Sequence, residues 1–236
     1  MANVLRFLLA LAGLPFAWAV TRAFVDVLCL IPSSSDSVLP SGALAVIAGF
    51  ALCLVLLVVL PAPVRLYVLG HELTHAVWGI LFGARVSRLK VGLKGGSVTL
   101  SKSNLLITLA PYFFPFYTML VALAALVTRV FVSPLPCPWA WLFAVGFTWC
   151  FHCIFTLRAL MQTQPDVNEY GHLFSYVFIW IVNVAGAAAW VVCTTEVKWR
   201  DLGCAVAHRA ASAYASTGGA FTWIYESIRT LPFLQG

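Results

Sequence analysis

Four stretches of this chain contain no Asp, Glu, Lys or Arg: the intervals between Asp36 and Arg65, Lys102 and Arg129, Arg129 and Arg158, and Glu169 and Glu196. Each exceeds the roughly 20 residues with which a helix crosses a hydrocarbon core, so each predicts a transmembrane helix. A soluble fold could not hide them. The chain is 62% hydrophobic and 9% charged, against roughly 45–50% and about 25% in soluble domains, which leaves too little polar surface to face water. No polar block is large enough to fold alone, so residues 1–236 are expected to form a single membrane domain.

Two further spans are expected. One runs from about Pro63 to Phe82, opened by Pro61 and Pro63 and closed by Gly83. The other, near residues 4 to 31, is interrupted by Pro15, Arg22 and Asp26, which predicts a broken or partly interfacial helix. Its Arg6 and Ala17-Trp18-Ala19 also fit a signal peptide, but apolar character resumes straight after Val20, as in a retained anchor, and we read it as retained. The expected fold class is an all-α polytopic membrane protein of about six transmembrane helices.

Residues 86–101 break the helical pattern. Leu89, Val91 and Leu93 alternate with Arg88, Lys90 and Lys94, then Gly95-Gly96 leads into Val98 and Leu100 alternating with Thr99 and Ser101. That spacing predicts a short β-hairpin: in its plain reading a connecting ribbon, in its sharper one an edge that pairs with an extended peptide. At the other end, residues 198–236 put Phe221, Trp223, Ile224, Ile228 and Leu231 largely on one helical face, which predicts an interfacial tail.

The net charge of +6 gathers most densely at Arg85, Arg88, Lys90, Lys94 and Lys102. In a membrane protein such a group marks a cytoplasmic loop beside anionic lipid, so the lipid bilayer is the expected partner and nucleic acid is not. The reading is of a multi-pass protein of the cell membrane, plasma or inner. Seven cysteines are an odd set in mostly apolar surroundings and define no disulfide framework. Cys150 and Cys153 form a C-x-x-C around His152, which inside a lipid-buried helix reads as inert packing.

The sequence HELTH at positions 71 to 75 carries the chemistry. On a helix, His71 and His75 lie on one face with Cβ atoms roughly 5–6 Å apart, close enough to share one metal ion. Zinc lowers the pKa of its bound water to about 7, and Glu72 is placed to take the proton and deliver it to a leaving nitrogen. A glutamate between two histidines in lipid is costly unless it faces a cavity or a partner, so its membrane setting favours a functional explanation. A third ligand must come from elsewhere. Asp166 is favoured, in the polar stretch Gln162 to Tyr170 where Pro165 breaks the backbone, with Glu169 and His172 as alternatives. His152 reads as a helix-packing side chain.

These residues resemble the site-2 protease family of intramembrane zinc metalloproteases: HELTH within a hydrophobic helix, a Gly-rich hairpin directly after it, a helix opening with Ala110-Pro111, and an aspartate two spans later. The resemblance covers roughly 63–185, the expected metalloprotease core. It implies His71, His75 and Asp166 as ligands of one Zn2+ ion and Glu72 as catalytic base, although Pro165-Asp166-Val167 stands where the family has Leu-Asp-Gly. It also implies the substrate class, a membrane-anchored protein helix that unwinds to reach the metal.

Two rivals come from other classes. A di-iron oxidase needs about eight histidine ligands, and this chain has five histidines. A non-catalytic membrane protein of the same fold, binding metal or transmembrane helices, would have no need of Glu72.

Overall fold

The computed structural model describes residues 2–31, 41–93 and 95–229; Lys94 and Leu231 lie outside them. Among the described residues run nine helices and one two-stranded antiparallel hairpin, in the order α1 (Ala2–Cys29), α2 (Ser41–Val59), α3 (Val64–Leu81), β1 (Val86–Gly92), β2 (Gly95–Leu100), α4 (Leu105–Phe113), α5 (Phe116–Phe131), α6 (Pro138–Leu160), α7 (Pro165–Tyr170), α8 (His172–Thr194) and α9 (Trp199–Arg229).

Among the described residues, four helices are long and apolar enough to cross a membrane: Asn3–Cys29 in α1, Gly42–Val59 in α2, and α6 and α8 throughout. Large apolar side chains along them, Leu8, Val58 and Trp180 among them, face outward, which suits a lipid solvent and marks a membrane protein. The count falls short of six for two physical reasons. First, the charge-free interval after Lys102 is not one helix. Pro115 forces Phe114 into extended backbone at φ −102° and ψ 105°, so α4 stops there and α5 departs at 79°. This bent pair makes a fifth span only if counted as one. Second, α3 is not among the apolar candidates, because Arg65, His71, Glu72 and His75 all fall within its 18 residues.

The first helix also departs from expectation. It does not break at Pro15 but continues through it; neighbouring helices can hold such a helix together where the proline removes one backbone donor. Here the Tyr214 hydroxyl donates to the Ala12 carbonyl at 2.8 Å, and the Trp180 indole donates to Thr21 Oγ1 at 2.9 Å.

Where the sequence reads as one domain, contacts divide the chain into two compact units, residues 1–32 with 171–236, and residues 33–170. The range 63–185 is thus divided at Tyr170, with α8 grouped with α1 and α9 in the first unit. In the first unit Val27, Val192 and Val197 form a buried cluster. Arg209 of α9 donates through Nε and Nη2 to both Asp26 carboxylate oxygens, at 2.6 and 2.7 Å. The tail is thus pinned to α1 as well as amphipathic, and Asp26 finds its counter-ion there. Of the expected apolar face, Trp223 is exposed.

In the second unit α2 and α6 cross at their glycines. A Cβ on Gly49 would come within 2.0 Å of the Phe143 carbonyl oxygen, and one on Gly146 within 2.0 Å of that of Val46. Backbones that close leave no room for any side chain, the small-residue contact by which helices associate in lipid. Beside this crossing Cys53 and Cys150 are buried with Phe151 and Phe155.

Candidate metal centre

The site grows from α3. Pro63 precedes its first turn, where a missing N–H costs nothing. At its far end Gly83 takes a left-handed φ of 72°, and the Gly83 and Ala84 amides donate to the Ile80 and Gly79 carbonyls, each at 2.8 Å. This glycine-terminated cap reverses the chain. The hairpin then returns along α3, with Leu89 opposite Val98 and Val91 opposite Gly96. Its β2 strand comes close because two positions lack side chains: a Cβ on Gly79 would meet Leu100 at 3.0 Å, and one on Gly96 would meet Val68 Cγ1 at 2.6 Å and Glu72 Oε1 at 2.8 Å.

Helix α4 closes the other side. The Asn104 side chain caps it, accepting from the Ile107 amide at 2.9 Å, and Ile107, Leu109, Ala110 and Tyr112 are almost fully buried. After α6 the chain turns through Gln162 to Gln164 into α7, whose first residue is Pro165; Asp166 follows in that first turn.

These elements bring His71, His75 and Asp166 together, with one ligand atom from each lying within 4.8 Å of the others. The Nε2 atoms of both imidazoles sit 3.4 Å from Asp166 Oδ2. Each group has an outer partner. The Ile107 carbonyl lies 2.8 Å from His75 Nδ1 and can only accept, so that nitrogen carries a proton. The Tyr67 hydroxyl is 3.3 Å from His71 Nδ1, and Tyr67 is stacked on Phe155. The Tyr112 hydroxyl donates to Asp166 Oδ2 at 3.0 Å.

The donor chemistry fits a divalent cation. In its neutral form with Nδ1 protonated, His75 turns the Nε2 lone pair toward Asp166 Oδ2, an arrangement in which one cation could be shared by both. Outer hydrogen bonds on ligand imidazoles and carboxylates are also what metal sites use to hold their ligands. Burial acts to raise the Asp166 pKa, but its hydrogen bonds with His71 and His75 outweigh burial and hold the carboxyl well below the usual carboxylate range. It is therefore available as an anionic ligand.

The three residues open onto a cavity of about 930 Å³. Glu72 lines it too, buried at 7% relative exposure, with the Val98 backbone N–H facing its carboxylate and Gly96 pressed against it. The β2 strand from Gly95 to Val98 forms one wall, and Arg158 and Glu169 line it as well.

Protein-family models, curated proteins and solved structures offer no match to this chain.

Of the alternative third ligands, Glu169 lines the cavity but is not one of the three clustered groups. His172 opens α8 in the other unit, its Nδ1 3.4 Å from the Tyr176 hydroxyl. His152 sits in α6 beside a small void that also touches His71, Thr74 and Tyr117. Sequence reasoning missed Tyr67, Tyr112 and the Ile107 carbonyl. Tyr67 had a signal, since it lies one turn before His71 on the same helical face. Tyr112 had none, because 54 positions separate it from Asp166.

Proposed function

We propose that the protein is an intramembrane zinc metalloprotease of the site-2 protease kind, which hydrolyses a peptide bond of a membrane-anchored substrate within the cell membrane, plasma or inner. One observation carries the reading. Two imidazole nitrogens from α3 and a carboxylate oxygen from α7, elements far apart in sequence, come together at a cavity that Glu72 also lines.

His71, His75 and Asp166 would hold one Zn2+. When bound, zinc supplies Lewis acidity, which acidifies water and polarises an amide carbonyl. The remaining work belongs to the chain. Glu72 takes a proton from the attacking water on a carboxylate oxygen and returns it to the departing amine nitrogen. Gly96 and the Val98 amide keep that carboxylate directed into the cavity. The β2 edge along the wall offers backbone groups to an unwound substrate, a geometry in which main-chain pairing positions a peptide independently of its sequence. The Arg85 to Lys102 loop, rich in cations, fits contact with anionic headgroups.

The test is zinc content and cleavage of a transmembrane substrate in liposomes for the wild type, Glu72→Gln and Asp166→Asn. The proposal expects about one zinc and cleavage in the wild type, zinc without cleavage in Glu72→Gln, and neither in Asp166→Asn. Equal turnover by Glu72→Gln and wild type would remove Glu72 as base. A zinc-bound wild type with no cleavage would favour a non-catalytic protein of the same fold that binds metal or transmembrane helices.

A further inference from the structure

In an α-helix each carbonyl accepts from the amide four residues on, so the partner of the Ile107 carbonyl would be residue 111. Residue 111 is proline, which has no N–H to give. Pro111 lies inside α4, and Ile107 is 1% exposed. A buried carbonyl deprived of its helical donor is costly unless another donor replaces it. The replacement is the His75 imidazole, whose Nδ1 lies 2.8 Å away.

We infer that Pro111 is a positioning residue for the metal centre: by withholding a backbone donor it reserves the Ile107 carbonyl for His75, which sets the tautomer and plane of that imidazole. With any other residue at 111, the helix amide four residues on competes for the same oxygen. His75 then loses its orienting bond, and nothing holds a proton on Nδ1 in particular. The consequence for metal binding rests on the zinc reading above; the consequence for the imidazole does not.

A second role for Pro111 must be separated from this one, because its ring also lines the small void beside His71 and His152. Three versions of the full-length protein in detergent divide the two: wild type, Pro111→Ala, and a chain carrying lactic acid at position 111. The alanine restores the amide. The lactic acid has alanine's side chain but an ester oxygen in place of the N–H, so it lacks the pyrrolidine ring and still withholds the donor. Alanine is a good helix former, and circular dichroism checks that each version folds.

In metal-free protein, the 15N resonances of the His75 ring should report Nδ1 protonated in the wild type and the ester variant, and a shift toward the Nε2-protonated form in Pro111→Ala. Zinc titration against a competing chelator should find affinity about tenfold weaker or worse in Pro111→Ala, as for loss of an outer hydrogen bond to a ligand, and close to wild type in the ester variant. If Pro111→Ala keeps both the tautomer and the affinity, or if the ester variant behaves like alanine, the inference is overturned and Pro111 acts by packing. If the wild type binds no zinc while the tautomer still follows the backbone donor, positioning stands and the zinc reading falls.

Discussion

Asp166 Oδ2 serves three partners at once, two imidazoles at 3.4 Å and the Tyr112 hydroxyl at 3.0 Å. The hydroxyl matters because it neither competes for metal nor carries charge; it only fixes where the carboxylate sits. Tyr112→Phe keeps the buried ring and deletes that restraint, so zinc affinity should fall about tenfold with the fold intact, read by chelator competition. An unchanged affinity would remove Tyr112 from the site. At Gly96, alanine would place a methyl group 2.7 Å from Glu72 Cγ and 2.8 Å from its Oε1, displacing the proposed base and leaving the ligands alone. Gly96→Ala should then retain zinc but lose kcat, with a stability cost of about 1–3 kcal/mol from overpacking. Zinc loss in parallel with kcat would mean that the whole centre had moved. His71, Glu72 and His75 were legible as a group because four-residue spacing on a helix is a local property. Asp166 could be argued because acids are scarce in this chain. Tyr112 was invisible, since a buried tyrosine announces nothing about a partner so far along the chain.

At the scale of elements, the α2–α6 crossing is the least forgiving contact in its unit, because each glycine there faces backbone, which cannot rotate away. Gly146→Val should lower stability by about 3 kcal/mol or more, seen as a lower unfolding midpoint in detergent. Gly186→Ala in α8, where an added Cβ meets nothing within 4 Å, should lose none. Equal effects of the two would refute the close-crossing account. The prolines explain why spans were legible but their integrity was not. Pro15 lies within α1 and Pro111 within α4, yet Pro115 ends a helix and turns the chain by 79°. The sequence pattern marks only Pro15 as a break and reads the interval that holds Pro111 and Pro115 as one helix. Which one breaks the helix depends on what neighbouring elements hold in place, and that is not a local property. The caps of α3, Pro63 and Gly83, were readable because each acts on the backbone beside it.

For the whole molecule, every group of the proposed centre belongs to the unit of residues 33–170. A ligand that binds only the folded form stabilises it by an amount set by its concentration relative to Kd, about 2.7 kcal/mol at a hundredfold excess. Added zinc should therefore raise the unfolding midpoint of the wild type progressively, chelator should reverse the rise, and Asp166→Asn should respond little. A midpoint indifferent to zinc would argue that His71, His75 and Asp166 are simply an ion-paired cluster. The division into two units was not legible, because apolar runs of similar character supply both. The Asp26 and Arg209 pair, 183 positions apart, is the kind of long-range choice that composition does not encode. The 79° turn after α4 cuts that element short. That helix has nine residues and a reach of about 13 Å, less than half the thickness of a hydrocarbon core. On the proposed reading, a centre braced by so short a helix should be reached from one leaflet, and a membrane-impermeant chelator is expected to strip the metal from a single side of the bilayer.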